Sequence, residues 1–514
     1  MRVLVLLTCI SMLSLLHGAE RINHAGRILP DEPAVTTPLL FNTPEADAKM
    51  ASLQIMPRDY AGNDDISTRP VLPNSDAMIA QIEAGLDQRH GTASWRYDLR
   101  GFFEMNWVLV PDDQPQQDIY LNLYPDESDD VVDEANSIAR YPIPDNKPVE
   151  TWPRNTEGLS LGDWQRDVNG DGGDRHSIVL QPGTGYFWET WLCQRVDGSP
   201  EWEAANLAKW NVNSRALRPL GWTSGDAAGL PLLPYVVRYD EVQRGEIEHA
   251  LRMIVYRTRR AYLYPATHQA SVPSTTDPDI PAMGERLRLK ASFVIPEHWT
   301  DESKCVARAL KRYGGIVADN GGFLSFSISP DDRWPEDCFQ DLRDIQVADF
   351  EVIDGFGENE GPRSANPLAA DVGPDLTIGL GQMANLSATV TGGTGAVSHS
   401  WYVYPHATQP GTVNFGTASA TTTTATFSAQ GEYILMFKAS DGIHTPAYDA
   451  IRIQVGDPVQ RRIDLNWTEP GAQFEVFLNG GSYSTVSSPN VQITSLDPTS
   501  DHTVRVVALP GSSG

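Results

Sequence analysis

The segment Asp174-Arg175-His176 sets a carboxylate and an imidazole two residues apart, just before the apolar run at 177–180. In an extended strand such residues point to the same side. Asp174 and His176 could therefore act as a general acid/base pair, the carboxylate fixing the tautomer of a ring that titrates near neutral pH. A structural salt bridge would use the same two residues. A second carboxylate, Asp226, lies among small residues in Trp222-Thr223-Ser224-Gly225-Asp226-Ala227-Ala228-Gly229. Small residues bring backbone close to a neighbour or ligand, so Asp226 reads as a catalytic acid or as a turn anchor. Ser224 lacks the flanking glycines of a nucleophile elbow. A third candidate is His249, within EIEHALR at 246–252, followed by Arg257, Arg259, Arg260, Tyr262, Tyr264 and His268.

Eleven of the thirteen tryptophans fall between Trp95 and Trp334. A ring exposed in a groove stacks on a sugar face, whereas a buried ring is core. Trp188, Trp191, Trp222, Arg215 and Tyr264 are the candidate substrate contacts. Trp188 and Trp191, three apart, cannot share one side of a strand. Two carboxyl groups flanking a sugar bond would hydrolyse it. A Tyr or His base beside Arg would instead suit a polysaccharide lyase. Asp167, Asn169 and Asp171, in DVNGDG, alternate oxygen ligands as a calcium loop does. This stretch resembles the loops of EF-hand or dockerin modules, but position 12 is Ile178 and not an acid. Calcium is thus a candidate cofactor, and a solvated Asx-rich loop the alternative. No HExxH, CxxC, P-loop or GxGxxG occurs, so no nucleotide, flavin or haem cofactor is expected.

The formal net charge of −28, from 39 basic and 67 acidic residues, argues against nucleic acid as a partner. Arg2, the apolar run at 3–16 and the small pair Gly18-Ala19 read as a secretory signal peptide over residues 1–19. A secreted, extracellular or periplasmic protein with no membrane span in the mature chain follows, with an extracellular glycan as the candidate partner. Of the cysteines left after processing, Cys305 and Cys338 are expected to form a bridge and Cys193 to stay free.

These residues need elements to hold them. The fold class expected is mainly β: a large β-rich domain with one or two helices, then two β-sandwich modules. Residues 20–55 read as a flexible leader, 56–354 as the functional domain and 355–370 as a linker. One helix is anticipated near 76–84, capped by Ser75, and one after Thr300 that stops at Gly314. The Asp319-Asn320-Gly321-Gly322 segment predicts a tight hairpin joining strands at 315–318 and 323–328. Strands are also expected at 235–238 and 261–264.

Residues 371–456 resemble a PKD-like or Ig-like domain, through Gly373-Pro374-Asp375, Trp401, Gly431-Glu432-Tyr433 and Ser440-Asp441-Gly442. Residues 459–514 resemble fibronectin type III, through Ile463-Asp464-Leu465-Asn466-Trp467 and Leu496-Asp497-Pro498, with His502 in place of the corner tyrosine. Both resemblances imply β-sandwiches of extracellular proteins; the chain has no RGD tripeptide. GDRHSIV, NSRALRPLGWTSGDAAGLPLLP, RAYLYPATHQAS and ALKRYGGIVADNG resemble a group of secreted bacterial proteins. That resemblance implies one coherent domain and no particular activity.

Overall fold

The computed structural model describes residues 20–170, 172–270, 275–456, 461–466, 473–488, 490–496 and 503–509. The expected signal segment, Asp171, Trp467, Asp497, Pro498 and His502 lie outside the described residues. The chain divides into two compact units. One is Arg21–Pro367 with Asp441–Pro446; the other includes Leu368–Ser440 and Ala447–Gly514.

The large unit is built on three sheets. The first runs, in spatial order, Leu39–Leu40, Trp107–Leu109, Ser177–Gln181, Tyr186–Trp191 and Asn206–Asn211. The second runs Val131–Asp133, Ile138–Tyr141, Gln117–Leu121, Trp202–Ala204 and Gln194–Arg195. The third has six strands: Phe350–Val352, Arg286–Leu289, Gly315–Asn320, Leu251–Val255, Ser325–Ile328 and Arg100–Phe103. Ser177–Gln181 and Leu251–Val255 are buried at every residue, as strands covered on both faces are.

The hairpin expected at Asn320-Gly321 does not form. Gly315–Asn320 and Ser325–Ile328 do run antiparallel, but Leu251–Val255 lies between them and pairs with both. The Gly321 amide bonds to the Val255 carbonyl instead of closing a two-residue turn. A non-local strand thus outcompetes the local turn signal. The expected strands at 235–238 and 261–264 are also absent, replaced by a short helical turn at Leu233–Tyr235 and an isolated bridge between Tyr262 and Met283.

The expectation of a flexible leader is corrected too. Leu39–Leu40 pairs with Trp107–Leu109, and helix Pro44–Ala51 follows, with Thr43 capping the Ala46 amide. Phe41, Ala46 and Met50 are buried in the main core. The apolar residues there are too few to show periodicity, yet Phe41, Ala46, Met50 and Leu53 take core positions.

Among the described residues there are five α-helices, more than the one or two expected, within a mainly β architecture. Asp301–Arg312 begins at Thr300, whose hydroxyl accepts from the Ser303 amide, and Gly314 follows at φ +62°. The other anticipated helix runs Ser75–His90, and its N-cap is Asn74. Ser75 is released from capping, and its hydroxyl accepts from the Val352 amide across the core. Cys193, Cys305 and Cys338 are all free, buried thiols, so the expected Cys305–Cys338 bridge is not made.

In the second unit, Leu376–Ile378, Ala447–Val455, Gly431–Ser440 and Ser398–Val403 form one sheet. Ala384–Ser387, Thr422–Phe427 and Val413–Phe415 form another. Trp401, Tyr433, Leu435, Ile451 and Ile453 share one buried core. This is the sandwich expected of a PKD-like or Ig-like module. Farther on, Arg461–Asn466 pairs with Asn490–Leu496, and Gln473–Leu478 pairs with Gly481–Val486 and Val504–Leu509. Among the described residues, no helix is long and apolar enough to cross a membrane.

Candidate active site

The six-stranded sheet turns one row of polar side chains toward a cleft, and a β-bulge completes the row. Leu251, Arg252 and Met253 pair in parallel register with Gly315, Ile316 and Val317, but Ile254 pairs with Asp319. Ala318 is the extra residue. If Ala318 paired with Ile254 in a regular ladder, strand alternation would send Asp319 to the opposite face from Arg252. The Ala318 carbonyl accepts from the Ala228 amide at 2.9 Å, which ties the bulge to the loop carrying Asp226. That loop is fixed in turn by the Ser224 hydroxyl, which accepts from the Asp226 amide at 2.9 Å. Gly229 adopts φ +69° there, where a Cβ would meet Thr267 Oγ1 at 2.2 Å and the Trp222 carbonyl at 2.7 Å.

Arg252 is the hub. Its Nε donates to Asp226 Oδ2 and its Nη2 to Asp226 Oδ1, both at 3.0 Å. Nη2 also reaches Asp319 Oδ2 at 2.9 Å, and Nη1 reaches Ser327 Oγ at 3.1 Å and Glu104 Oε1 at 3.4 Å. Three carboxylates therefore share one guanidinium that is itself buried. They do not share it equally. Burial pushes Glu104 up to about 7; Arg252 opposes this and the nearby Glu150 charge adds to it. Burial likewise raises Asp319 to about 6, against Arg252 and with Asp226. Asp226 is raised by burial while its pair with Arg252 pulls it down.

His176 stands beside this hub, but its partner is not Asp174. Its Nδ1 lies 2.8 Å from Glu150 Oε2, and its backbone amide donates to the same oxygen at 3.0 Å. Burial alone would lower His176; the charge and hydrogen bond of Glu150 outweigh it and carry the ring up to about 9. His176 is thus an imidazolium at neutral pH and not the expected base. Asp174 is exposed at the rim. Between the two, Arg175 turns away at φ +51° and donates to the Trp164 and Gln165 carbonyls at the end of helix Leu161–Gln165. The expected pairing fails because a distant loop delivers Glu150 to the ring.

Asp174, His176, Asp226 and Asp319 all line one cleft of about 780 Å³, whose walls include Tyr124, Trp191, Tyr262 and His268. A contiguous recess of about 270 Å³ shares Asp174, His176 and Asp319 and adds Glu104, Glu150 and Arg252. Of the anticipated tryptophans, Trp191 is half-exposed on the cleft wall, near the Tyr124 ring. Trp188 is buried, with its Nε1 donating to Asp130 Oδ2. Trp222 is half-buried beside the lining residues Gly221 and Thr223 and is not itself part of the lining.

The remaining expected contacts sit elsewhere. Arg215 is held by Asp59 at 2.5 Å, and the Tyr264 ring lies under the Arg363 guanidinium. His249 is buried against Glu241 at 3.1 Å, in a separate ion-pair cluster with Arg238, and does not line the cleft. His249 precedes the strand Leu251–Val255, in a segment held against helix Tyr239–Arg244. Asp226, expected as a catalytic acid, has both oxygens turned onto Arg252 and a fully buried side chain, so it positions the arginine.

The calcium expectation does not fit the described residues. Asp167 Oδ1 accepts from the Gly172 amide at 2.9 Å and faces Arg175 Nη1 at 3.4 Å, so a guanidinium takes the place of a cation. Asn169 is exposed, and Asp171 lies outside the described residues. Among the described residues no group of three or more His, Cys, Asp or Glu side chains is arranged to hold a metal.

No family model matches the chain. No curated protein matches it either. Among solved structures, it is similar to the PKD domain (329-428) of human KIAA0319 at 19% identity, over 19% of this chain and 88% of that one, with a TM-score of 0.17. The fibronectin(III)-like modules of Clostridium thermocellum CbhA match at 17% identity over 27% of this chain and 84% of theirs, with a TM-score of 0.13. A nucleoside hydrolase-related protein of Saccharophagus degradans, associated with carbohydrate metabolism, matches at 17% identity over 29% of this chain and 36% of its own, with a TM-score of 0.16. Similarities at these TM-scores assign neither fold nor function to the large unit.

Proposed function

We propose that the chain is a secreted protein whose large unit hydrolyses a glycosidic bond in an extracellular polysaccharide. The observation that carries this reading is the pair Glu104 and Asp319, two carboxyls gathered on one guanidinium at the base of an aromatic-walled cleft. Burial raises both, to about 7 and about 6, so a proton can be held there near neutrality. We take Glu104 as the general acid and Asp319 as the general base, the division of labour that acid/base hydrolysis needs. Glu104 gives its proton to the leaving oxygen as the C–O bond breaks. Water adds to the anomeric carbon and its proton passes to Asp319. Trp191, Tyr124 and Tyr262 supply the sugar-stacking wall.

Hydrolysis is favoured over lyase chemistry by the state of Arg252. A lyase needs an arginine free to neutralise a uronate: Arg252 is committed to Asp226, Asp319 and Glu104, and a lyase would have to use Arg260 instead, which lines the cleft with Tyr262 and His268. The test is a polysaccharide digestion screen read by new reducing ends. Glu104→Gln and Asp319→Asn should each lower turnover by about 100-fold or more while leaving glycan binding intact. Unchanged turnover in both variants removes the assignment. Glycan binding with no cleavage by the wild-type chain would favour a non-catalytic binding module.

A further inference from the structure

On the edge strand Arg100–Phe103, beside the cleft, lies a second cavity of about 230 Å³ whose lining includes three arginines: Arg100, Arg154 and Arg343. In a chain with a net charge of −28, arginines without a carboxylate need a reason. None of these three makes an ion pair among the described residues, although exposed Glu336 and Asp337 also line the cavity. Arg100 is stacked over Trp95 at 4.8 Å and Phe323 at 4.4 Å, and its buried Nε has no hydrogen-bond partner. Arg154 is stacked over Phe103 at 4.4 Å, and its Nη1 donates only to the Asp331 carbonyl. Stacking fixes both guanidinium planes without using their charge, which is how a planar fork is readied for an oxyanion. Burial lowers the proton affinity of Arg100, the neighbouring Arg343 charge lowers it further, and Asp98 opposes both.

We propose that this cavity is an anion subsite that takes the carboxylate or sulfate group of an acidic sugar. Phe102 lines both this cavity and the recess holding Glu104 and Arg252, so the two are neighbours on one edge of the sheet. The acidic base of the cleft suits a neutral sugar at the point of cleavage, and the arginine cavity suits an acidic residue farther along. The sugar identity rests on the polysaccharide reading, whereas oxyanion binding stands without it. The substrate class is then a heteropolysaccharide containing both neutral and charged units.

The test is calorimetric titration of the full chain with inorganic sulfate, a uronic-acid oligosaccharide, a sulfated oligosaccharide and a neutral oligosaccharide of the same length. The charged oligosaccharides should bind more tightly than the neutral one, and more weakly as salt is raised. Arg343→Gln, at an exposed position that leaves the core untouched, should weaken charged-ligand binding by about tenfold or more and leave neutral-ligand binding alone. Arg154→Gln should do the same. Preference for uronate or for sulfate ester identifies the group; binding of inorganic sulfate alone would refute the sugar. Equal binding of charged and neutral ligands, or charged-ligand binding unaltered in both variants, overturns the proposal. Asp319→Asn separates the readings, because it should abolish cleavage and keep charged-ligand binding. A chain that binds charged sugars and cleaves none would sink the hydrolase and leave the subsite standing.

Discussion

Replacing Arg252 by methionine should destabilise the large unit strongly at high pH and mildly at low pH. Removing one member of a buried ionic group, with its partners left in place, costs about 3–5 kcal/mol. Here the partners are Asp226, Asp319 and Glu104. Without the guanidinium, each loses the contact that pulls its proton affinity down. The sign follows from which state binds protons more tightly. A carboxyl raised in the folded state favours folding at low pH and loses that advantage as pH climbs through its folded value. For Glu104, moving from 4.5 to about 7 already takes about 3 kcal/mol from the wild type across that window. In the variant all three carboxyls titrate higher still, so the loss continues above pH 7. Near pH 5 they are protonated, and what remains is the loss of hydrogen bonds, about 1–2 kcal/mol. The assay is urea unfolding followed by tryptophan fluorescence at about pH 5 and about pH 8, since eleven of the thirteen tryptophans lie between Trp95 and Trp334. The same destabilisation at both pH values would refute the reasoning, because three carboxylates gathered by one cation cannot lose it without changing their titration.

Two further outcomes are expected. Glu150→Gln should drop His176 from about 9 to below 6.5, because burial and the Arg252 charge then outweigh the smaller support from Asp174; a ring titration by NMR that stays above 8 would show that another group holds the charge. Gly229→Ala should lower stability by about 2 kcal/mol or more in thermal melts, since it combines positive φ with an overlap on Thr267 and the Trp222 carbonyl; a melt matching the wild type would mean that the Asp226 loop tolerates displacement.

The parts of the site legible in the sequence are those adjacent in sequence to a strong local signal. Asp174 and His176 precede an unbroken apolar strand, Asp226 sits in a glycine- and alanine-rich loop, and Trp191 ends a strand out of phase with Trp188. Glu104, Glu150 and Asp319 were not legible. They come from an edge strand, a long loop and a strand end, and only tertiary pairing brings them to Arg252. Asp319 was hidden for a particular reason: followed by Asn-Gly-Gly, it reads as a turn residue, yet it belongs to a strand whose partner arrives from 251–255. The one available signal was arithmetic, an arginine in a fully apolar strand that must find several buried acids elsewhere. The order of the leader is hidden on the opposite ground, since its few apolar residues are well placed and not numerous. In the tail, alternating apolar residues made the sandwich plain, because a two-sheet core depends on little else.

The one-residue bulge at Ala318 also bears on how such a site could be transplanted or lost. The side chains around Arg252 would not form the same cluster on a regular sheet, because a flush ladder would turn the Asp319 carboxyl to the far side. A designer copying the residues would need to copy the irregularity too.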